Sequence, residues 1–205
     1  MRLPARWRAG FALGLLALIA GPIVSGCGGS SGEATAASFP GGDAVPSRPA
    51  PAIDLTDYRG RLIDLARLKG RPVLVAFLYT HCHDLCPIVA GKVHTAFAKL
   101  RAAKRPLFLA VSVDPAHDTP GSAVEFNRRH RTSGEIDWLL GSRAELEKVW
   151  SAWGVKPERN AKDPEEIEHN AEIFAIDPQG RIRALYPPAF KPAGLAAGVE
   201  TLRKL

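Results

Sequence analysis

Two cysteines four positions apart, Cys82 and Cys86 in FLYTHCHDLCP (77–87), are the residues of this chain best suited to chemistry. They fall where an apolar, β-rich run gives way to a helical pattern. On a helix, positions i and i+4 share a face, with Cβ atoms about 5–6 Å apart. Two sulfurs so placed can grip one metal ion, or close a disulfide after modest adjustment. The positive helix end favours thiolates, the form that binds metals and attacks disulfides. Two soft sulfurs suit Cu(I), and an added imidazole extends the range to Cu(II) or Zn(II).

Six histidines could supply that imidazole. His94 lies mid-helix off the apolar stripe and His130 lies in the basic run 128–131, so both read as surface. His117 follows a strand end, where loop polarity explains it. His81 suits local hydrogen bonding to the turn, and His83 either adds a ligand or points to solvent. His169 precedes EIFAID (172–177), on a loop expected to approach the cysteine-bearing turn. On spacing alone, a loop histidine is more often a bystander than a ligand.

The elements that must position these groups alternate from about residue 72. VLVAFLY (73–79) reads as a buried central strand. Val89, Val93, Ala96, Phe97 and Leu100 recur at helical spacing, giving a helix to about Ala103 with Asp84 as candidate N-cap. PLFLAVSV (106–113) is a second buried strand, parallel to the first through a right-handed crossover. Thr119 and Pro120 read as N-cap and N1 of a helix to about His130. A short strand at 138–140, a helix over 142–153 and a hairpin of 172–177 with 181–186 follow, the hairpin turning through Asp177-Pro178-Gln179-Gly180. A last helix covers about 192–204. Ahead of them, 51–55 and 61–65 form an N-terminal hairpin. Trp150 and Trp153 read as core, Asp114 as a support for the cysteine loop, and Asp118 as a turn residue. This order predicts an α/β thioredoxin-like fold with an N-terminal β-hairpin and a central mixed sheet flanked by helices.

The third cysteine, Cys27, reads as the end of an export signal. Arg2, Arg6 and Arg8 precede an apolar stretch (11–24), and Val24-Ser25-Gly26-Cys27 resembles a bacterial lipoprotein cleavage box. Residues 1–26 are thus expected to be a signal peptide. Residues 27–50, Gly/Ser/Ala/Pro-rich, are expected to be a lipidated cysteine and flexible tether, and 51–205 the folded domain. Acyl chains at about 0.8 kcal/mol per buried methylene would anchor the chain without a spanning helix. That places it on a bacterial cell membrane, facing the periplasm or the exterior. The formal charge of +6 drops to +3 when the three leader arginines are removed. The basic run 128–131 then reads as a solvated face, and no nucleic-acid partner is expected.

FLYTHCHDLCP, VSVDPAHDTP (111–120) and EHNAEIFAIDPQGRIR (168–183), in that order, resemble the Sco/SenC family of copper-binding proteins over essentially the whole chain from about residue 50. The resemblance implies copper, Cu(I) or Cu(II), held by Cys82, Cys86 and His169. It implies a metallochaperone for the CuA site of cytochrome c oxidase subunit II. An oxidising compartment would close the Cys82–Cys86 pair, so an exported thioredoxin-like reductant is expected as a partner. The chain departs from the family pattern at His83, where proline is usual, and at Glu168, where aspartate is common. The alternative is a thiol–disulfide oxidoreductase using the same cysteines. Their spacing differs from the Cys-x-x-Cys of typical thioredoxin-like reductases. Val75 and Tyr79 stand at the Pro and Thr places of a peroxiredoxin motif, which disfavours peroxidase work.

Overall fold

The computed structural model describes residues 37–163 and 165–205. The expected signal peptide, Cys27 and the first part of the tether lie outside the described residues.

β4 (Val73–Leu78) is buried at every position because it sits inside the sheet, parallel to β5 (Leu107–Ser112) and antiparallel to β9 (Ile173–Ile176). β5 is in turn parallel to β6 (Asp137–Leu140). β10 (Arg181–Tyr186) returns from β9 through the Asp177–Gly180 turn. There the Gly180 N–H donates to the Asp177 carbonyl, and φ is +82° at Gly180, in the region glycine enters without a Cβ clash. The N-terminal hairpin of β2 (Asp54–Asp57) and β3 (Leu62–Asp64) extends the sheet from β6. With β1 (Asp43–Pro49) outside β10, the strand order is β1-β10-β9-β4-β5-β6-β2-β3. A mixed sheet flanked by helices in this order is a thioredoxin-like fold.

β1 corrects the extent of the expected tether, since residues 43–49 are a strand paired with β10. Its side chains are nearly all exposed and carry no apolar alternation, so no sequence pattern marks it. What holds it is main-chain pairing across the chain, plus the Arg181 guanidinium donating to the Ser47 carbonyl and hydroxyl at 2.7 and 2.6 Å. It tolerates two prolines because it is an edge strand whose register shifts between Ala44 and Arg48.

α1 (Leu85–Ala98) buries Cys86, Val89, Ala90, Val93, Ala96 and Phe97, one face at helical spacing, and packs against α4 (Pro192–Leu202). It stops five residues short of the expected end: Leu100 N–H bonds back to Phe97 in a tightened last turn, and 102–104 form a separate 3-10 turn. α2 (Pro120–Arg129) and α3 (Arg143–Trp153) both begin with capping boxes, on Thr119/Ser122 and Ser142/Glu145. Trp153 of α3 packs edge-on against Phe174 of β9 and at a tilt against Phe77 of β4. Trp150 donates its indole N–H to the Ser112 carbonyl at 2.9 Å, so both tryptophans are core, as expected.

Like β1, a second feature has no counterpart in the sequence reading. β7 (Glu158–Arg159) and β8 (Ile167–Glu168) form a small separate hairpin. It leads directly into His169.

Candidate metal centre

Cys82 and Cys86 lie between the end of β4 and the first turn of α1, both reduced and buried, at 9% and 1% exposure. Asp84 occupies the N-cap position but makes no capping bond with its side chain. Its φ of −115° and ψ of −89° lie outside the extended region of a capping residue. The sulfur does that work instead: Cys86 N–H donates to Cys82 Sγ at 3.3 Å. Pro87, next in the first turn, brings no N–H that would need a partner.

The two sulfurs are electrostatically unequal. A hydrogen bond from the Cys86 thiol, backed by the N–H groups of Cys86 and Asp84 and the Tyr79 hydroxyl, holds Cys82 down to about 5 against the opposing effect of burial. Burial, then the neighbouring Cys82 sulfur, pushes Cys86 well above the ordinary thiol range. The pair at neutral pH is a thiolate at 82 and a thiol at 86. In the reduced protein, iodoacetamide should therefore label Cys82 ahead of Cys86, with a rate that climbs through about pH 5 and is flat by about pH 7. Peptide mapping by mass spectrometry checks this; a rate at Cys82 still climbing at pH 8 would mean no thiolate is held there.

Tyr79, buried at 4% exposure, ties the distal histidine to this pair. Its hydroxyl bonds to Cys82 and accepts the Ile167 N–H of β8 at 3.3 Å. Its ring meets the His169 ring edge-on, centres 6.1 Å apart. His169 is half-buried. Its Nδ1–H donates to the Asn170 carbonyl at 2.8 Å, which leaves the lone pair on Nε2. Burial lowers its pKa, so the ring is neutral and able to coordinate at neutral pH. The structure thus brings Cys82, Cys86 and His169 to one neighbourhood. Among the described residues, no three His, Cys, Asp or Glu side chains are placed so as to hold a metal ion together. The donor types fit a soft or borderline ion.

The cysteine loop is fastened by a residue whose role the sequence reading assigned wrongly. Asp118 is buried, not merely a turn residue. It accepts the Thr80 N–H and hydroxyl at 2.8 and 2.7 Å, and the Ser112 hydroxyl at 2.5 Å. Asp114, expected to support that loop, instead takes the Arg159 guanidinium of β7 and the His117 ring, each at 2.7 Å. The hairpin β7–β8 is therefore pinned at Tyr79 and at Asp114. Tyr79, Thr80 and Ser112 were missed as site residues; the only hint was their place at the ends of β4 and β5. His94 and His130 are less free than expected: His94 pairs with Glu135 at 2.8 Å, and His130 packs on Phe126 with ring centres 4.4 Å apart.

The sequence model of SCO1/SenC matches residues 46–204. The chain belongs to the SCO1/SenC family. Among the relatives of this SCO1/SenC chain is a putative copper-binding protein of Stutzerimonas stutzeri, 26% identical over 152 residues, covering 72% of the chain and 74% of that protein. A mitochondrial SCO2 homologue of Bos taurus is 28% identical over 143 residues. The match covers 66% of the chain but only 52% of the bovine protein, so this chain spans about half that relative's length. The structure of Bradyrhizobium japonicum ScoI with copper bound superposes with a TM-score of 0.61 at 28% identity, covering 74% of this chain and 97% of that one.

Proposed function

We propose that this SCO1/SenC protein binds copper through Cys82, Cys86 and His169 and carries it for assembly of the CuA site of cytochrome c oxidase. The observation that supports this reading most is the shared Tyr79: its hydroxyl bonds to the Cys82 sulfur while its ring packs on His169. Two sulfurs of unequal protonation and one neutral imidazole match a soft or borderline cation. The copper-bound ScoI structure and the copper-binding relative of Stutzerimonas add support from similarity. In this reading the ion is cargo: a three-donor set with a buried thiol at Cys86 holds it yet leaves room for ligand exchange with an acceptor. The acceptor is the CuA domain of subunit II. Cys27 carries a lipid anchor on the periplasmic or outer face of a bacterial cell membrane, and an exported thioredoxin-like partner keeps the thiols reduced.

Copper titration of the reduced protein against a competing chelator tests the ligand set. His169→Ala should weaken Cu(II) at least about tenfold, the lower end of what even residues behind the ligands contribute, and should change the visible spectrum. Unchanged affinity and spectrum remove His169 from the set.

A second reading, thiol–disulfide exchange, is favoured by the inequality of the thiols. Cys82 is the attacking thiolate and Cys86 the resolving thiol. Each cycle converts the two thiols to a disulfide as a partner's disulfide becomes two thiols, so an external dithiol must restore the pair.

A further inference from the structure

Beside the cysteines, three imidazoles that the copper site does not use line one cavity. His81, His83 and His117, with Asp114, Arg159 and Glu165, surround a space of about 140 Å³. A bound water takes a share of about 30 Å³, so the space admits an ion with one or more waters. The rings of His81 and His117 face each other nearly edge-on, centres 6.0 Å apart.

Hydrogen bonds to His81 and His117 decide which nitrogen each of those two rings offers. The single hydroxyl proton of Thr80 goes to Asp118 at 2.7 Å. The 3.1 Å contact between Thr80 Oγ1 and His81 Nδ1 therefore has the ring as donor, and the His81 lone pair lies on Nε2. His117 Nδ1 faces the Asp114 carboxylate at 2.7 Å, so it too is the protonated nitrogen and Nε2 is free. A carboxylate behind the far nitrogen of an imidazole is the arrangement that orients and strengthens histidine metal ligands. The second Asp114 oxygen is occupied by Arg159, which keeps Asp114 aimed.

We infer that His81, His83 and His117 form a second metal site, an imidazole-only docking point for a borderline divalent cation, Cu(II) above Zn(II). Imidazoles suit both ions, and Cu(II) binds the same donors more tightly. Two neighbouring imidazoles bonded to one ion at about 2.0–2.1 Å have ring centres roughly 4.5–5 Å apart, the shorter figure in the tetragonal geometry of Cu(II). The His81 and His117 rings must therefore close by about 1–1.5 Å. All three side chains are exposed, and exposed rotamers rearrange on the ps–ns scale. His83 makes the site possible: in the proline-containing pattern of the family, two imidazoles would remain.

The test removes the thiols, so its outcome does not depend on the proposed copper site. The full chain with Cys27, Cys82 and Cys86 all replaced by alanine is titrated with Cu(II) and followed by electron paramagnetic resonance. One equivalent is expected to bind with nitrogen hyperfine structure from imidazole. His83→Ala and His117→Ala should each weaken it at least about tenfold, and His94→Ala, paired elsewhere with Glu135, should leave it unchanged. If alanine at the buried Cys86 prevents folding, the same chain with serine at that position, closer in size to the thiol, gives the same readout. Absence of Cu(II) binding, or binding indifferent to both His83→Ala and His117→Ala, overturns the site.

Discussion

Cys86→Ser is expected to abolish copper retention under chelator competition while leaving Cys82 a thiolate. Structural metal sites gain roughly 10–16 kcal/mol from about four ligands. One donor lost from a set of three therefore costs roughly a hundredfold to a thousandfold in affinity. The replacement hydroxyl is a poor ligand for a soft ion. It can still donate a hydrogen bond to Cys82 Sγ, as the Cys86 thiol does, and the main-chain N–H groups of Asp84 and Cys86 remain on that sulfur. The alkylation profile at Cys82 should therefore keep its low-pH plateau as copper is lost. The same variant separates the two functional readings. If the protein works by disulfide exchange, Cys82 still attacks, no resolving thiol remains, and mixed disulfides with a partner accumulate. If it works as a copper carrier, covalent adducts stay rare and the CuA site goes unfilled. Full copper affinity in Cys86→Ser would remove the carrier mechanism, whatever the fate of the thiol chemistry.

The parts of this architecture that were legible from sequence are those with a local signal. The continuous apolar run of β4, the helical stripe of α1, the Thr119-Pro120 and Ser142 helix starts and the Pro178–Gly180 turn each announce themselves within a few residues. What escaped has its partners far away in the chain. β1 is almost wholly exposed and rests on β10, with Ser47 and Arg181 separated by 134 positions. β7 and β8 are two residues each, too short for any period. At the proposed site, cysteine spacing pointed to the turn between β4 and α1. It carried nothing about Cys82 Sγ taking the capping role that Asp84 was expected to fill, because that exchange depends on the backbone dihedrals of the loop. Asp118 was misjudged for a related reason. Its neighbours Thr119 and Pro120 are a strong helix-start signal, and an aspartate before such a signal reads as a turn residue. Its actual partner Thr80 lies 38 positions earlier.

That distance makes Asp118→Ala the most damaging single change expected outside the cysteines. The substitution leaves a buried main-chain N–H and two buried hydroxyls, those of Thr80 and Ser112, without their acceptor. Each orphaned donor costs about 1–3 kcal/mol. The hydroxyls recover part of that by rotating, and removing a buried carboxylate returns some desolvation, so the net loss should be about 3 kcal/mol. Chemical denaturation measures it directly. The consequence extends beyond stability, because Thr80 is two residues from Cys82 and its N–H ties the start of the cysteine loop to Asp118, which also holds Ser112 at the end of β5. Freed at Thr80, the loop no longer holds the Cys82 sulfur under the N–H groups of Asp84 and Cys86, and thiolate stabilisation weakens with it. Asp118→Ala should thus lower copper affinity with every proposed ligand still present. Asp118→Asn, which keeps an acceptor for Thr80 and misplaces only the group facing Ser112, should recover most of both losses. A variant pair in which Asn and Ala behave alike would show that the negative charge, rather than the hydrogen-bond geometry, is what the loop needs from Asp118.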